Sequence, residues 1–134
     1  MILIAHGSRD PAWRVPFERL AERVGAQLAF MELEAPSVSD AVARAAADGA
    51  DTVRLLPLFM AVGRHVKHDI PACAEAARRA HPALTVELLP ALGESARFWD
   101  ALATLVAAEV GADGRADDHS DASADNSPGA TPVT

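Results

Sequence analysis

Val53-Arg54-Leu55-Leu56-Pro57-Leu58-Phe59-Met60-Ala61-Val62-Gly63-Arg64-His65-Val66-Lys67-His68-Asp69-Ile70-Pro71 decides the fold. Val53 to Phe59 is an apolar run that reads as a buried strand, the core of a third strand at 52–59. A glycine follows, then two imidazoles and two cations, and then a helix start near Asp69 with Pro71 in its first turn. One other place has this form: Ile2-Leu3-Ile4-Ala5-His6-Gly7-Ser8-Arg9-Asp10-Pro11. There too an apolar strand runs into a histidine, a glycine and an arginine.

The rest of the chain fits around these two segments. Residues 2–5 read as a short central strand, apolar on both faces. Asp10 suits an N-cap and Pro11 a first helical turn. Trp13, Phe17, Leu20 and Val24 then recur at helical spacing, and Gly25 ends the element. Pro16 fits only if the helix starts after Pro11 or bends there. Residues 27–33 form a second strand, broken by Pro36. Ser37 caps the next helix with Asp40 three residues on, and that helix runs to Asp48-Gly49. The helix after the central loop ends near Arg79-Ala80, before His81-Pro82. Residues 84–89 form the fourth strand, and 94–110 the last helix. The order β-α-β-α-β-α-β-α implies a parallel sheet with helices on both faces. From Gly111 the composition shifts to Gly, Ala, Asp, Ser, Asn and Pro, too poor in apolar groups to offset chain ordering. The expected organisation is one α/β domain at 1–110 and a disordered acidic tail at 111–134.

Composition bounds the function. The chain has 134 residues, half of them apolar, which suits one domain with a true core. There is no apolar run long enough to span a bilayer, and the start, interrupted by His6, does not read as a secretory leader. A single cysteine, Cys73, excludes an internal disulfide and fits a reducing compartment. A cytoplasmic protein with no membrane partner is expected. The net charge of −7 argues against nucleic acid as a partner. Five aspartates against Arg115 put −4 of it in the tail, so a local basic pocket stays compatible with the remainder.

In an open parallel sheet, ligands bind beyond the carboxyl ends of the strands, where the strand order reverses. The common small doubly wound order, 2-1-3-4, makes strands one and three neighbours, with loops diverging around a crevice. His6 ends strand one and His65 follows strand three. Glu32 and Glu34 end strand two and, by alternation, share the face of Phe30. Two imidazoles and at least one carboxylate thus reach one crevice, a set suited to a borderline divalent ion. The spacing itself matches no HExxH or CxxC motif, so topology carries this reading. Arg9, Arg64 and Lys67 flank the crevice; they can bind anionic groups, or Arg9 can pair with Asp10 or a helix terminus and Arg64 and Lys67 form an ordinary solvated face.

His6-Gly7-Ser8-Arg9, Phe30-Met31-Glu32-Leu33, and Pro57-Leu58-Phe59 leading to Gly63-Arg64-His65-Val66 with Asp69-Ile70-Pro71 resemble the class II tetrapyrrole chelatases. The nearest likeness is to the short, single-lobe sirohydrochlorin chelatases of cobalamin and siroheme synthesis. The likeness covers roughly residues 1–110 and leaves the tail without a counterpart. It implies a chelatase-like three-layer sandwich with a four-stranded parallel sheet of order 2-1-3-4. It implies a homodimer, His6 and His65 as metal-binding and catalytic histidines, and Glu32 as the strand-two catalytic carboxylate. Arg9 and the loop Met60, Ala61, Val62, Gly63 and Arg64 would line the macrocycle pocket.

The implied substrate is a divalent metal (Co2+, Fe2+ or Ni2+) with sirohydrochlorin, and no organic cofactor. Metal insertion requires the ion to shed water and two pyrrole protons to leave. A neutral histidine can do either task, and which histidine does which stays open. A closed four-ligand site would trap the ion, so few, weak ligands suit the task. The alternative is a carrier of metal or tetrapyrrole without turnover. A histidine-phosphatase reading is a further alternative; Ala5, which stands where those proteins carry arginine before a strand-end His-Gly, counts against it, and a phosphatase assay should be negative. His68 reads as a solvated loop or first-turn residue, His81 as structural and His119 as solvated. Ser8 lacks a nucleophile elbow. Cys73, Trp13 and Trp99 read as packing groups.

Overall fold

The computed structural model describes residues 1–64 and 66–113. His65, His119 and residues 114–134, nearly all of the expected tail, lie outside the described residues. Four strands, β1 (Ile2–Ala5), β2 (Gln27–Phe30), β3 (Thr52–Pro57) and β4 (Thr85–Leu88), form one parallel sheet of order β2-β1-β3-β4. The expected 2-1-3-4 order is therefore present. β1 is central and buried throughout, because it pairs on both edges and is apolar at every position. β3 departs from the expected continuous burial. Exposed Thr52 and Arg54 alternate with buried Val53 and Leu55, and Arg54 pairs across the register with Glu87 of β4 at 2.9 Å.

Between β1 and β2 the chain forms a short 3-10 helix, Pro11–Arg14, and then α1 (Val15–Val24). Asp10 caps the 3-10 turn by accepting the Ala12 N–H at 2.9 Å. The α-helix begins late enough to place Pro16 in its first turn, where a missing N–H costs nothing. Gly25 closes α1 in the left-handed conformation (φ 63°). α2 (Val38–Ala47) opens with the expected capping box between Ser37 and Asp40. Both hydrogen bonds from Ser37 hold the Asp40 carboxyl below its ordinary value.

α3 (Val66–Ala80) starts three residues earlier than the expected Asp69. The Lys67 N–H already donates to the Gly63 carbonyl, so the first turn is closed before the aspartate. His68 is an exposed first-turn residue, as expected. Pro71 is then inside the helix, and the Lys67 carbonyl goes without the donor a non-proline residue would give. A 3-10 turn, Leu92–Glu94, precedes α4 (Ala96–Asp113). That helix continues past the expected domain limit at residue 110.

The described chain divides into two compact units, Met1–Trp99 and a second beginning at Asp100. The core of the first gathers Ile2 and Ile4 of β1, Leu55 of β3, Val42 of α2, Ile70 and Ala74 of α3, and Val86 of β4. At about 25 cal/mol per Å² of apolar surface removed from water, such side chains dominate the folding free energy. In the second unit the helix continues to Asp113. No helix among the described residues is long and apolar enough to cross a membrane.

Candidate functional site

β2 ends at Phe30, three residues before the expected Leu33. Residues 31–36 leave the sheet and return, closed by the Phe30 N–H donating to the Pro36 carbonyl at 2.9 Å. The start of this excursion stays paired to β1's outgoing loop. Met31 N–H donates to the Ala5 carbonyl at 2.9 Å, and Glu32 N–H to the His6 carbonyl at 3.0 Å. His6 and Glu32 are thereby fixed to each other through the backbone.

Gly7 makes that approach possible. Its φ is +102°, a region that side chains rarely adopt, and a Cβ there would lie 1.9 Å from the Glu32 carbonyl oxygen. His6 is then held from below by Phe59, just beyond β3, with ring centroids 4.3 Å apart and planes tilted by 47°. Phe59 is buried, and Leu58 N–H donates to the Ile4 carbonyl at 2.8 Å. The imidazole therefore sits on a rigid apolar floor supplied by the neighbouring strand.

His6, Met31 and Glu32 face an open cavity of about 550 Å³, whose other wall is α3: Val66, Asp69, Ala72, Cys73 and Ala76. Val66, Asp69, Cys73 and Ala76 recur at helical spacing and so share one face of α3. Two carboxylates and an imidazole line one opening, an arrangement that favours a cation and offers oxygen and nitrogen donors. Among the described residues no three His, Cys, Asp or Glu side chains converge closely enough to hold an ion between them. Burial pushes the Cys73 thiol up, and the Asp69 charge adds to the effect. Cys73 is thus a protonated lining group at neutral pH, not a nucleophile.

The other expected site residues divide. Glu34 leaves the face it was expected to share with Glu32. The strand has ended before either residue, and Leu33 takes a left-handed conformation (φ 64°), so alternation no longer applies. Arg9 lines a separate cavity of about 330 Å³ with Ser8, Pro11, Arg14, Leu33 and Glu34. Met60, Ala61, Gly63 and Arg64 are exposed. Val62 lines a third cavity, about 360 Å³, with Lys67, Leu88, Pro90 and Glu94 among its walls. Val66 borders both this cavity and the one beside His6. Gly93 supports the loop: its N–H donates to the Phe59 carbonyl at 2.8 Å, and a Cβ on it would meet the Met60 carbonyl oxygen at 1.7 Å. His65, between Arg64 and Val66 in the chain, lies outside the described residues. Sequence reading missed Asp69 as a cavity carboxylate. Its i, i+4 spacing with Cys73 is the signal that was present.

The chain is similar in sequence and fold to known proteins. A family model described as CbiX matches residues 1–109. A stretch of 78 residues is 41% identical to the sirohydrochlorin cobaltochelatase of Methanopyrus kandleri, taking in 53% of this chain and 54% of that protein. Another match, 33% identical over 76 residues, is to the Saccharolobus solfataricus protein of the same name, with 53% and 59% covered. The chain spans about half the length of the curated relatives it matches. Among solved structures, a protein from Marinobacter aquaeolei VT8 that carries the CbiX name is 38% identical. It has a TM-score of 0.74 over 81% of this chain and 94% of its own. Sirohydrochlorin chelatase SirB from Bacillus subtilis subspecies spizizenii, solved in complex with cobalt, shares the fold at 22% identity. Its TM-score is 0.62, over 68% of this chain and 42% of its own. With that family model matching residues 1–109, the chain belongs to the CbiX family.

Proposed function

We propose that this chain is a metal chelatase, inserting Co2+ or Fe2+ into sirohydrochlorin in cobalamin or siroheme biosynthesis. The observation that carries the reading is the shared cavity of His6 and Glu32, whose backbones are hydrogen-bonded to each other at its rim. The relatives named above as sirohydrochlorin cobaltochelatases supply the substrate class. Ni2+ accepts the same donors.

In this mechanism the metal is substrate. His6 offers an imidazole nitrogen to it, and His65 is the second ligand. Two imidazoles hold an ion loosely enough to surrender it, whereas a closed tetrahedral site would retain it. Insertion releases two pyrrole N–H protons. Glu32, within the same cavity, accepts one, and Asp69 on the facing helix accepts the other. The negative wall also favours the approach of a hydrated cation. Phe59 keeps the His6 ring from swinging away as the ion changes partners.

The macrocycle lies over the 60–64 loop and across Val66. Its peripheral carboxylates pair with Arg64 and Lys67, and with Arg9 at the edge. The open cavity is completed by a second copy of the chain in a homodimer. The protein works in the cytoplasm, without an organic cofactor, a nucleic acid or a membrane partner.

The test is a metal-panel assay with purified protein and sirohydrochlorin, reading the loss of free-base absorbance. Many turnovers with cobalt or ferrous iron support the reading. Uptake of one equivalent with slow release makes the protein a carrier. No metal-dependent change rejects the substrate.

A further inference from the structure

We infer that Glu34 is a positioning residue for the metal-insertion centre, clamping the loop that carries His6. The inference rests on the function proposed above. Glu34 projects from the same 31–36 excursion as Glu32 but grips the chain instead of facing the cavity. Its Oε1 accepts the Ser8 N–H at 3.0 Å. Ser8 is two residues from His6, whose carbonyl is held by Glu32 N–H. One excursion of β2 therefore holds the His6–Ser8 segment at both ends.

The clamp extends outward. Ser8 Oγ accepts the Asp10 N–H at 3.1 Å, and Asp10 Oδ1 accepts the Ala12 N–H. A chain of hydrogen bonds thereby runs from Glu34 through Ser8 and Asp10 to Ala12. The carboxylate is in an expensive place. Its side chain is only 9% exposed, and Oε2 has no hydrogen-bond partner among the described residues. Arg14 stands 3.4 Å from that oxygen, but its Nε is committed to Glu18 at 2.7 Å and its guanidinium lies over the Phe30 ring. A buried carboxylate with incomplete partners contributes little to stability. What it does supply is a fixed distance between β1's outlet and β2's outlet, the distance that sets His6 against Glu32. Misplacing catalytic groups by about 1 Å costs roughly 100-fold in rate.

The test uses the full chain with Glu34→Leu and Glu34→Gln. Leucine fills the volume without a buried charge and keeps the fold. Gln keeps an acceptor for Ser8. Amide exchange by NMR reads the clamp directly, independently of turnover. In Glu34→Leu, exchange at Ser8 and Glu32 accelerates about tenfold, the loss of one hydrogen bond. Its kcat falls at least about tenfold while the KM for metal stays within about twofold. Glu34→Gln restores both. Unchanged Ser8 exchange, or unchanged kcat in a folded Glu34→Leu protein, overturns the inference. So does a Gln variant as impaired as Leu. If the wild-type chain shows no turnover, the proposed function fails, and the exchange rates alone still decide the clamp.

Discussion

Replacing Gly7 by alanine tests the link between backbone geometry and the site. Two effects add. A side chain at φ +102° costs about 1–2 kcal/mol, because the Cβ crowds the carbonyl oxygen. The new Cβ also meets the Glu32 carbonyl oxygen at 1.9 Å, against the roughly 3.3 Å that a carbon and an oxygen need in contact. The obstacle is backbone, which cannot rotate away, so the His6 loop and the 31–36 excursion must separate by more than 1 Å. The Glu32 N–H to His6 bond is then lost, for about another 1 kcal/mol. The expected destabilisation is about 2–4 kcal/mol, or roughly 10–25 °C in Tm for a domain of this size. Thermal unfolding by circular dichroism measures it. Metal insertion, measured where the variant is folded, should fall about 100-fold from the displacement of His6 relative to Glu32. A Gly7→Ala protein that melts within 2 °C of the parent and retains its rate would refute the close approach (a shift that small is below ~0.5 kcal/mol).

Four further outcomes follow from the same geometry. Glu32→Gln should lower kcat about 100-fold or more by removing a proton acceptor, leaving the melting temperature unchanged; equal kcat in a steady-state assay contradicts the role. Gly93→Ala, whose Cβ would lie 1.7 Å from the Met60 carbonyl oxygen, should displace the 60–64 loop and raise the KM for the tetrapyrrole more than it lowers kcat. Asp40 is held below its ordinary 3.8 by Ser37, so its contribution is present above that pH and is lost as the pH falls through the lowered value. Ser37→Ala should therefore flatten the acid limb of a urea-stability profile below pH 3.8, with no change in its slope near neutrality. Cys73, raised from its ordinary 9.0, should be alkylated by iodoacetamide more slowly at pH 7.5 than a free thiol; equal rates would show a more accessible sulfur.

Much of this fold was legible because its signals were local and mutually consistent. Four apolar runs separated by helical patterns admit few parallel arrangements, and the 2-1-3-4 order followed. The Ser37–Asp40 box, the Asp10 cap and the Gly25 terminus each declared themselves through side chains that hydrogen-bond nearby backbone. What escaped was set by tertiary contact. Alternation put Glu32 and Glu34 on one face, and it failed because β2 stops at Phe30 and Leu33 turns left-handed to bring the chain back to Ser37. No residue in Met31-Glu32-Leu33-Glu34 announces that turn. The start of α3 was read from Asp69, a good capping residue, but the Gly63 carbonyl closes the first turn earlier. Asp69 was thereby released to line the cavity with His6. Strand ends and topology brought His6 and a strand-two carboxylate to one opening, and the resemblance singled out Glu32, which lines the cavity with His6; the separate cavity of Arg9 was not legible. Its position follows from the clamp on Ser8, a long-range contact with no sequence signature.

The most direct measurement is a cobalt-soaked crystal examined by anomalous scattering at the cobalt edge. The account places the strongest peak in the cavity between Glu32 and α3, about 2.1 Å from a ring nitrogen of His6, with His65 as the second ligand. A cobalt ion bound elsewhere on the chain, with His6 uncoordinated and His6→Ala inserting metal at the parent rate, would contradict it.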